Sequence, residues 1–188
     1  MLIPFGVFSA AGAGGGAAAG AYELISTAFG TGSSGTITFS SIPSTYKHLQ
    51  IRLVSRTTSN NSGSYGSLNF RFNSDSASNY SEHILMGDGS SVQSYANANT
   101  TRLGYLLMGE NSNPNIMPGI IIDILDYAST SKNKTIRAFE GVTGIGNRVD
   151  LTSSAWRSTS AVSTITITTD SFGNFSTTSR FSLYGIRG

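Results

Sequence analysis

Apolar and polar residues alternate over short stretches along most of this chain, which is the pattern of β-strands with one buried face. In residues 48–56, for example, Leu49, Ile51 and Leu53 fall on one face, while the other face is mainly polar or charged. Clusters of Gly, Ser and Asn separate about ten such stretches, and none has a convincing helical period. The pattern predicts an all-β protein, an antiparallel two-sheet sandwich of jelly-roll type, with an open barrel as the nearest alternative.

The predicted strands follow one another at short intervals. We expect residues 22–29 and 36–39 to pair with each other, and residues 162–168 and 180–186 to form a final hairpin. Further strands are predicted at residues 48–56, 68–72, 80–86, 102–108 and 148–152.

The most apolar stretch is residues 120–127, with the sequence Ile-Ile-Ile-Asp-Ile-Leu-Asp-Tyr. It is apolar at both alternating positions, so we expect a central strand that its own fold or a neighbouring subunit covers on both sides. Residues 134–140 are predicted to return beside it after a polar turn. In that returning strand Lys134, Arg137 and Glu140 are expected to reach water.

The N-terminal residues 1–21 are predicted to form an extended arm, separate from a sandwich domain at residues 22–188. Residues 9–20 contain only Gly, Ala and Ser, and ordering them costs about 1 to 2 kcal/mol per residue. We therefore expect a partner to order the arm through its apolar tip. The tip residues are Leu2, Ile3, Phe5, Val7 and Phe8.

Charge and composition narrow the classes of function. The 12 basic and 10 acidic residues give a net charge of +2, and the basic residues are dispersed, which argues against a nucleic-acid partner. There are no cysteines, so disulfides and thiolate metal sites are unavailable. No apolar run approaches the roughly 18 residues of a membrane helix, and no basic residue precedes the short apolar N-terminus as in a signal peptide. We expect neither a membrane partner nor secretion.

The candidate catalytic and metal-binding residues do not form a convincing set. His48 and His83 are the only histidines and lack the further regularly spaced ligands of a zinc site, so both are interpreted as structural. Asp123 and Asp126 lie three apart in a strand, where side chains point to opposite faces, and cannot converge as a glycosidase pair. The sequence predicts a protein that is not an enzyme and has no metal site.

Two further motifs are incomplete. Gly12, Gly14 and Ala17 match a loose dinucleotide-binding fingerprint, but residues 30–42 lack the acidic residue that the fingerprint requires. Residues 75–79 begin like a calcium-binding loop but lack its Gly and Glu, so a turn is the better interpretation. No cofactor is predicted.

Aromatic residues in or beside polar loops suggest one binding chemistry. Tyr65, Tyr95 and Trp156 are candidate glycan contacts, because a flat ring can cover the apolar face of a sugar. The alternative for Trp156 is that it plugs the end of the sandwich.

Several stretches resemble small virion structural proteins of tailed bacteriophages, particularly those of cyanobacteria and other aquatic bacteria. They cover most of the chain after the arm, and they carry packing and turn residues without catalytic groups. The stretches are residues 22–27, 39–52, 79–81, 87–89, 122–127, 156–159 and 179–188.

The resemblance implies a non-catalytic role in the virion. The leading hypothesis is a capsid cement protein, a jelly-roll homotrimer that clamps neighbouring capsid subunits, with the major capsid protein and copies of itself as partners. The alternative is a tail-fibre or receptor-binding module that contacts a host surface glycan.

Overall fold

The computed structural model describes residues 20–60, 66–144 and 147–188. In these residues the chain is all-β, with 12 strands and no helix. The strands are β1 (Tyr22–Phe29), β2 (Thr36–Phe39), β3 (His48–Val54), β4 (Gly66–Phe72), β5 (Tyr80–Gly87), β6 (Val92–Thr100), β7 (Leu103–Met108), β8 (Gly119–Leu125), β9 (Lys134–Val142), β10 (Arg148–Trp156), β11 (Ile165–Thr168) and β12 (Arg180–Ile186).

The strands form two antiparallel sheets of unequal width. The large sheet has eight strands in the order β1-β12-β3-β8-β9-β10-β5-β6, and the small sheet has four in the order β2-β11-β4-β7. All pairings between these strands are antiparallel. The predicted antiparallel two-sheet sandwich is therefore confirmed.

Four of the pairings are nested along the sequence, so that each pair of strands lies between the two strands of the pair before it. Strand β1 pairs with β12, β2 with β11, β3 with β8, and β4 with β7. The hairpins β5–β6 and β9–β10 are inserted into this nest, and both join the large sheet. They extend the large sheet beyond β8 and leave the small sheet at four strands.

The core lies between the sheets, where both contribute alternating apolar side chains. Strand β3 buries Leu49, Ile51 and Leu53, as its alternation predicts. The rings of Phe175 and Phe181 pack edge to face with their centres 4.9 Å apart. One cluster of buried residues joins strands of both sheets and anchors the fold.

Two predicted pairings are wrong. Strand β11 pairs with β2 and β4 in the small sheet, whereas β12 pairs with β1 and β3 in the large sheet, so they do not form a hairpin. Strands β1 and β2 likewise lie in different sheets. Turn residues mark where a strand ends, but they do not determine whether the chain returns beside that strand or crosses to the other sheet.

The central strand β8 is covered on one face only. Ile120, Ile122 and Ile124 are buried, while Ile121 leaves 42 % of its surface exposed on the opposite face. Described residues of the chain therefore leave part of this second face uncovered.

The returning strand β9 also differs from its prediction, because Lys134 and Glu140 are both buried. The Lys134 Nζ donates to the backbone carbonyls of Ser129 and Lys132 at 2.7 and 2.8 Å, which holds the β8–β9 turn in place. Burial lowers the pKa of this ammonium group. Charged residues whose spacing in the sequence resembles that of a solvent-exposed face thus lie in part in the interior.

Strand β6 was not predicted from the sequence. Its sequence, Val-Gln-Ser-Tyr-Ala-Asn-Ala-Asn-Thr, contains few large apolar residues, and most of its positions are exposed. It is an edge strand that pairs with β5 alone, so main-chain hydrogen bonds, which leave no hydrophobic pattern, define it.

Candidate functional site

The outer faces of the two sheets differ in chemistry. The small sheet presents a polar outer face, as expected for a surface in water. Its side chains are Thr36, Thr38, Asn69, Arg71, Thr166 and Thr168, which lie opposite one another in the strand register. The outer face of the large sheet is apolar over several adjacent strands.

An apolar row crosses four neighbouring strands of the large sheet. The register places Ile121 of β8 beside Phe139 of β9, Phe139 beside Leu151 of β10, and Leu151 beside Leu85 of β5. These side chains leave 42, 53, 52 and 48 % of their surfaces exposed, in that order. Neighbouring strands lie about 4.8 Å apart, so the four side chains form one continuous surface roughly 14 Å long. We call them the apolar row.

A second line of apolar side chains flanks the row. Val149 of β10 and Val92 of β6 are exposed, with Gly87 of β5 in register between them. Val54 of β3 is also exposed and continues the same line through Gly119 and Gly141. Contiguous exposed apolar patches of this kind mark interaction sites more often than isolated surface residues do.

The surface over the apolar row is a groove of about 660 Å³. The row lines its floor, and one rim is polar. The polar lining residues are His83, Ser94, Asp123, Arg137, Thr152 and Ser153. The groove therefore combines an apolar floor with a few polar groups, which is the usual composition of a binding surface.

The part of the outer face on β1, β12 and β3 is polar and aromatic. The Arg52 guanidinium lies 5.3 Å from the ring centre of Tyr22 and 5.4 Å from that of Tyr184. Its Nε donates to Gln50 at 2.7 Å, and Gln50 donates to Asp123 at 2.8 Å. This network satisfies its own polar groups and limits the apolar surface on the β3 side.

Directly behind the apolar row, the inner faces of β9 and β10 carry buried charges. The Arg148 Nε donates to both carboxylate oxygens of Asp150 at 2.8 Å, and Asp150 is buried. The backbone N–H of Leu107 donates to Glu140 at 2.5 Å, while Glu140 Oε1 has no partner among the described residues. Burial is the largest influence on this carboxyl and raises the pKa of Glu140 to about 8. These groups are closed to a substrate and are structural.

A polar cleft lies on the outer face of the small sheet, where β6 approaches it. Arg102 donates from one nitrogen to both carboxylate oxygens of Asp170, each at 3.2 Å. Asn69 is only 4 % exposed, yet its amide has no hydrogen-bond partner among the described residues. It lines both parts of the cleft, whose volumes are about 380 and 220 Å³.

Glu82 lies at the floor of the smaller part of the polar cleft. The N–H of Gly104 donates to this carboxylate at 2.9 Å, and Asn97 donates to it at 3.1 Å. Burial raises the pKa of Glu82. The cleft thus offers donors and acceptors in fixed positions, which suits a hydroxyl-rich ligand more than an apolar one.

Of the predicted site residues, the structure describes only Tyr95 and Trp156, and it does not bring these two together. The arm residues Leu2, Ile3, Phe5, Val7 and Phe8 and the candidate glycan contact Tyr65 lie outside the described residues. Tyr95 is half-exposed on β6, on the same face as Ile84 and Asn97. Its hydroxyl donates to Gln93, and Tyr95 does not line the polar cleft.

Trp156 lies in the core and is 2 % exposed. Its ring packs 5.6 Å from Phe72 and stacks at 6.4 Å on Tyr80, and its Nε1 donates to Asp75 at 2.7 Å. The ring is therefore not available to a glycan in this structure, and we do not retain Trp156 as a contact. Its position matches the alternative that it closes the end of the sandwich.

Of the histidines and aspartates of the sequence analysis, His48 and Asp126 serve local structure, whereas His83 and Asp123 line the groove. His48 Nδ1 accepts a hydrogen bond from the backbone N–H of Asp126 at 2.9 Å. Asp126 has a positive φ of 48° at the end of β8 and pairs with Lys132, which lowers the pKa of its carboxyl. Asp123 lies apart on the outer face. Within the described ranges there is no group of three or more His, Cys, Asp or Glu that could hold a metal ion.

Comparison of the chain with protein-family models, with curated proteins and with solved structures finds no match. In the part of the chain that the structure describes, no helix is long and apolar enough to cross a membrane. Sequence reasoning missed both the apolar row and the polar cleft. Phe139 and Leu151 are exposed residues of the row, but the residues beside them in the sequence do not distinguish them from core residues.

The raised pKa of Glu140 predicts a pH-dependent stability. Between its ordinary value of 4.5 and about 8, the folded protein holds a proton that the unfolded chain has released. The free energy of unfolding should therefore fall as pH rises through this window, by at most about 1.4 kcal/mol per pH unit from this single group. Urea unfolding of the protein and of Glu140→Gln from pH 5 to 8 should show a shallower fall for the variant. Parallel curves for the two proteins would contradict the assignment.

Proposed function

We propose that this chain is a virion structural protein of a tailed bacteriophage, namely a capsid cement protein with a jelly-roll fold. The observation that carries the proposal is the exposed apolar row on the large sheet, because such a surface suits a protein that functions through contact with others. The resemblance described from the sequence directs the choice among such proteins. No catalytic step is part of the proposal.

The nested strand pairs support the jelly-roll assignment. Without the inserted hairpins β5–β6 and β9–β10, the sheets read β1-β12-β3-β8 and β2-β11-β4-β7. Eight strands in two four-stranded sheets, with strands from the two ends of the chain interleaved, fit a jelly roll built from two Greek keys. The fold occurs in viral capsid proteins and in lectins, so it is compatible with the proposal without deciding it.

The proposed mechanism is clamping by repeated weak contacts. Fully burying one large apolar side chain contributes about 1.5 to 3 kcal/mol, so covering the half-exposed apolar row would contribute roughly 3 to 6 kcal/mol per site before the cost of association. One such contact is weak. Many copies arranged by the symmetry of a head would bind with a much higher combined affinity.

The partners in this proposal are the major capsid protein and copies of the chain itself, assembled as a homotrimer. A homomeric assembly would cover the apolar row where copies meet and leave the polar outer face of the small sheet towards solvent. The arm of residues 1–21 is proposed to take part in the contact between copies. A protein of this kind would be located in the virion.

A second candidate function is a receptor-binding module of the tail that contacts a host surface glycan. The observation in its favour is the polar cleft with its fixed donors and acceptors. Asn69 holds an unpaired amide in the cleft, where a sugar hydroxyl could satisfy it. Because Asn69 makes no hydrogen bond to a described residue, Asn69→Ala should leave thermal stability nearly unchanged and abolish binding on a glycan array. An array on which the parent chain binds nothing would remove this candidate.

The apolar row predicts how head binding depends on sequence. We expect the double variant Phe139→Ser with Leu151→Ser to bind heads prepared without this protein about 10- to 100-fold more weakly, since about 1.4 to 3 kcal/mol of burial is lost. Co-sedimentation with quantitative gels measures this binding.

The matched control is Phe29→Ser with Leu24→Ser, which removes the same two residue types from β1 on the same sheet. These side chains are 59 and 55 % exposed, but they lie outside the apolar row. Equal losses in the two double variants would show that general surface hydrophobicity, and not the row, mediates binding.

A further inference from the structure

We infer that the groove over the apolar row binds the apolar N-terminal segment, residues 2–8, of a neighbouring copy of this chain. The inference rests on the proposed function, because it names the partner of the surface that the proposed clamp uses. It joins two features that are otherwise unexplained, an uncovered apolar groove and an apolar segment at the end of a long linker.

The groove has the size and chemistry for a short apolar segment. Its volume of about 660 Å³ lies within the range of sites that enclose small ligands. The apolar row forms its floor, and the charged groups at its rim, Asp123 and Arg137, lie to one side. A segment without charged side chains could therefore cover the row without burying an unpaired charge.

The N-terminal segment is the complementary part of the chain. Five of residues 2–8 are large and apolar, and no residue from 1 to 22 is charged. The five are Leu2, Ile3, Phe5, Val7 and Phe8. The described parts of the chain contain no other comparable apolar stretch that is free of the sandwich core.

The linker is long enough to reach a neighbouring molecule. Residues 9–20 are all small, and twelve residues span at most about 40 Å when extended. Small side chains also let a linker run close to other backbones without displacing them. The length of the linker therefore does not limit the contact. The direction in which the chain enters β1 decides which copy is bound.

The direction of β1 favours another copy over the same molecule. The register places Thr27 level with the apolar row, through Ser182 and Arg52 to Ile121. Tyr22 begins β1 five residues earlier, but a bulge between Leu24 and Ser26 takes up one of these residues, so Tyr22 lies about 14 Å from that level. Ala21, which accepts a hydrogen bond from the backbone N–H of Arg187, continues β1 away from the level of its own groove.

A return to its own groove would require the chain to reverse and cross the outer face from β1 to β9. That crossing is about 19 Å and passes over the polar and aromatic surface of Tyr22, Tyr184 and Arg52. This surface exposes Leu24 and Phe29 of β1 but has no continuous apolar row like that of β8, β9, β10 and β5. A neighbouring copy offers the groove without that crossing.

Photo-crosslinking of the full-length chain tests the inference. Phe5 is replaced by p-benzoylphenylalanine, and copies labelled with ¹⁵N are mixed with unlabelled copies before irradiation. We expect crosslinked peptides that join position 5 to Phe139, Leu151 or Leu85, with mixed isotope labels that identify two different chains. The same probe at Ala13 should give at least several-fold fewer crosslinks to these positions.

Matched variants make the result specific to the groove. Phe139→Ser with Leu151→Ser should reduce crosslinking several-fold, whereas Phe29→Ser with Leu24→Ser should leave it unchanged. Crosslinks that fall elsewhere, that stay within one chain, or that persist in the first variant would overturn the inference. The crosslinking reaction contains no heads, so a failure to crosslink leaves head binding to be judged by its own experiment. Normal crosslinking by a chain that does not bind heads would contradict only the proposed function.

Discussion

The difference in width between the two sheets is the constraint on which the rest of the structure depends. Eight strands spaced by about 4.8 Å span roughly 34 Å, whereas four span roughly 14 Å. The small sheet can therefore bury the inner face of only part of the large one. The inserted hairpins β5–β6 and β9–β10 form the part that extends beyond it, and this part carries the apolar row.

In this extension both faces differ from the usual pattern. The inner side of β5, β9 and β10 buries Glu82, Glu140 and Asp150 beside apolar side chains such as Ile84 and Ile136, while the outer side exposes Leu85, Phe139 and Leu151. Buried carboxylates are costly without hydrogen-bond partners. Here Arg148, Asn97 and backbone N–H groups supply most of these partners. Exposure of four adjacent apolar side chains on the outer side is understandable if a partner covers that face.

The alternation of apolar and polar residues in the sequence was sufficient to predict the class of fold and most of the strands. Strands β1, β2 and β12 begin and end where the pattern indicated, and Leu49, Ile51 and Leu53 are buried as expected. The pattern could not assign strands to sheets, because β11 and β12 cross between sheets after a turn that resembles a hairpin. It could not identify the apolar row either, since a period of two separates two faces without stating which is inside. Lys134 and Glu140 illustrate this, because both were placed in water and both are buried.

The copy number of this chain in purified particles tests the central claim, that its apolar face serves a repeating shell. Quantitative mass spectrometry with labelled standard peptides gives its molar ratio to the major capsid protein. The account predicts a ratio near one, as for a protein that occupies equivalent sites over the whole head. A ratio of a few per cent would contradict it and would favour a role at the tail.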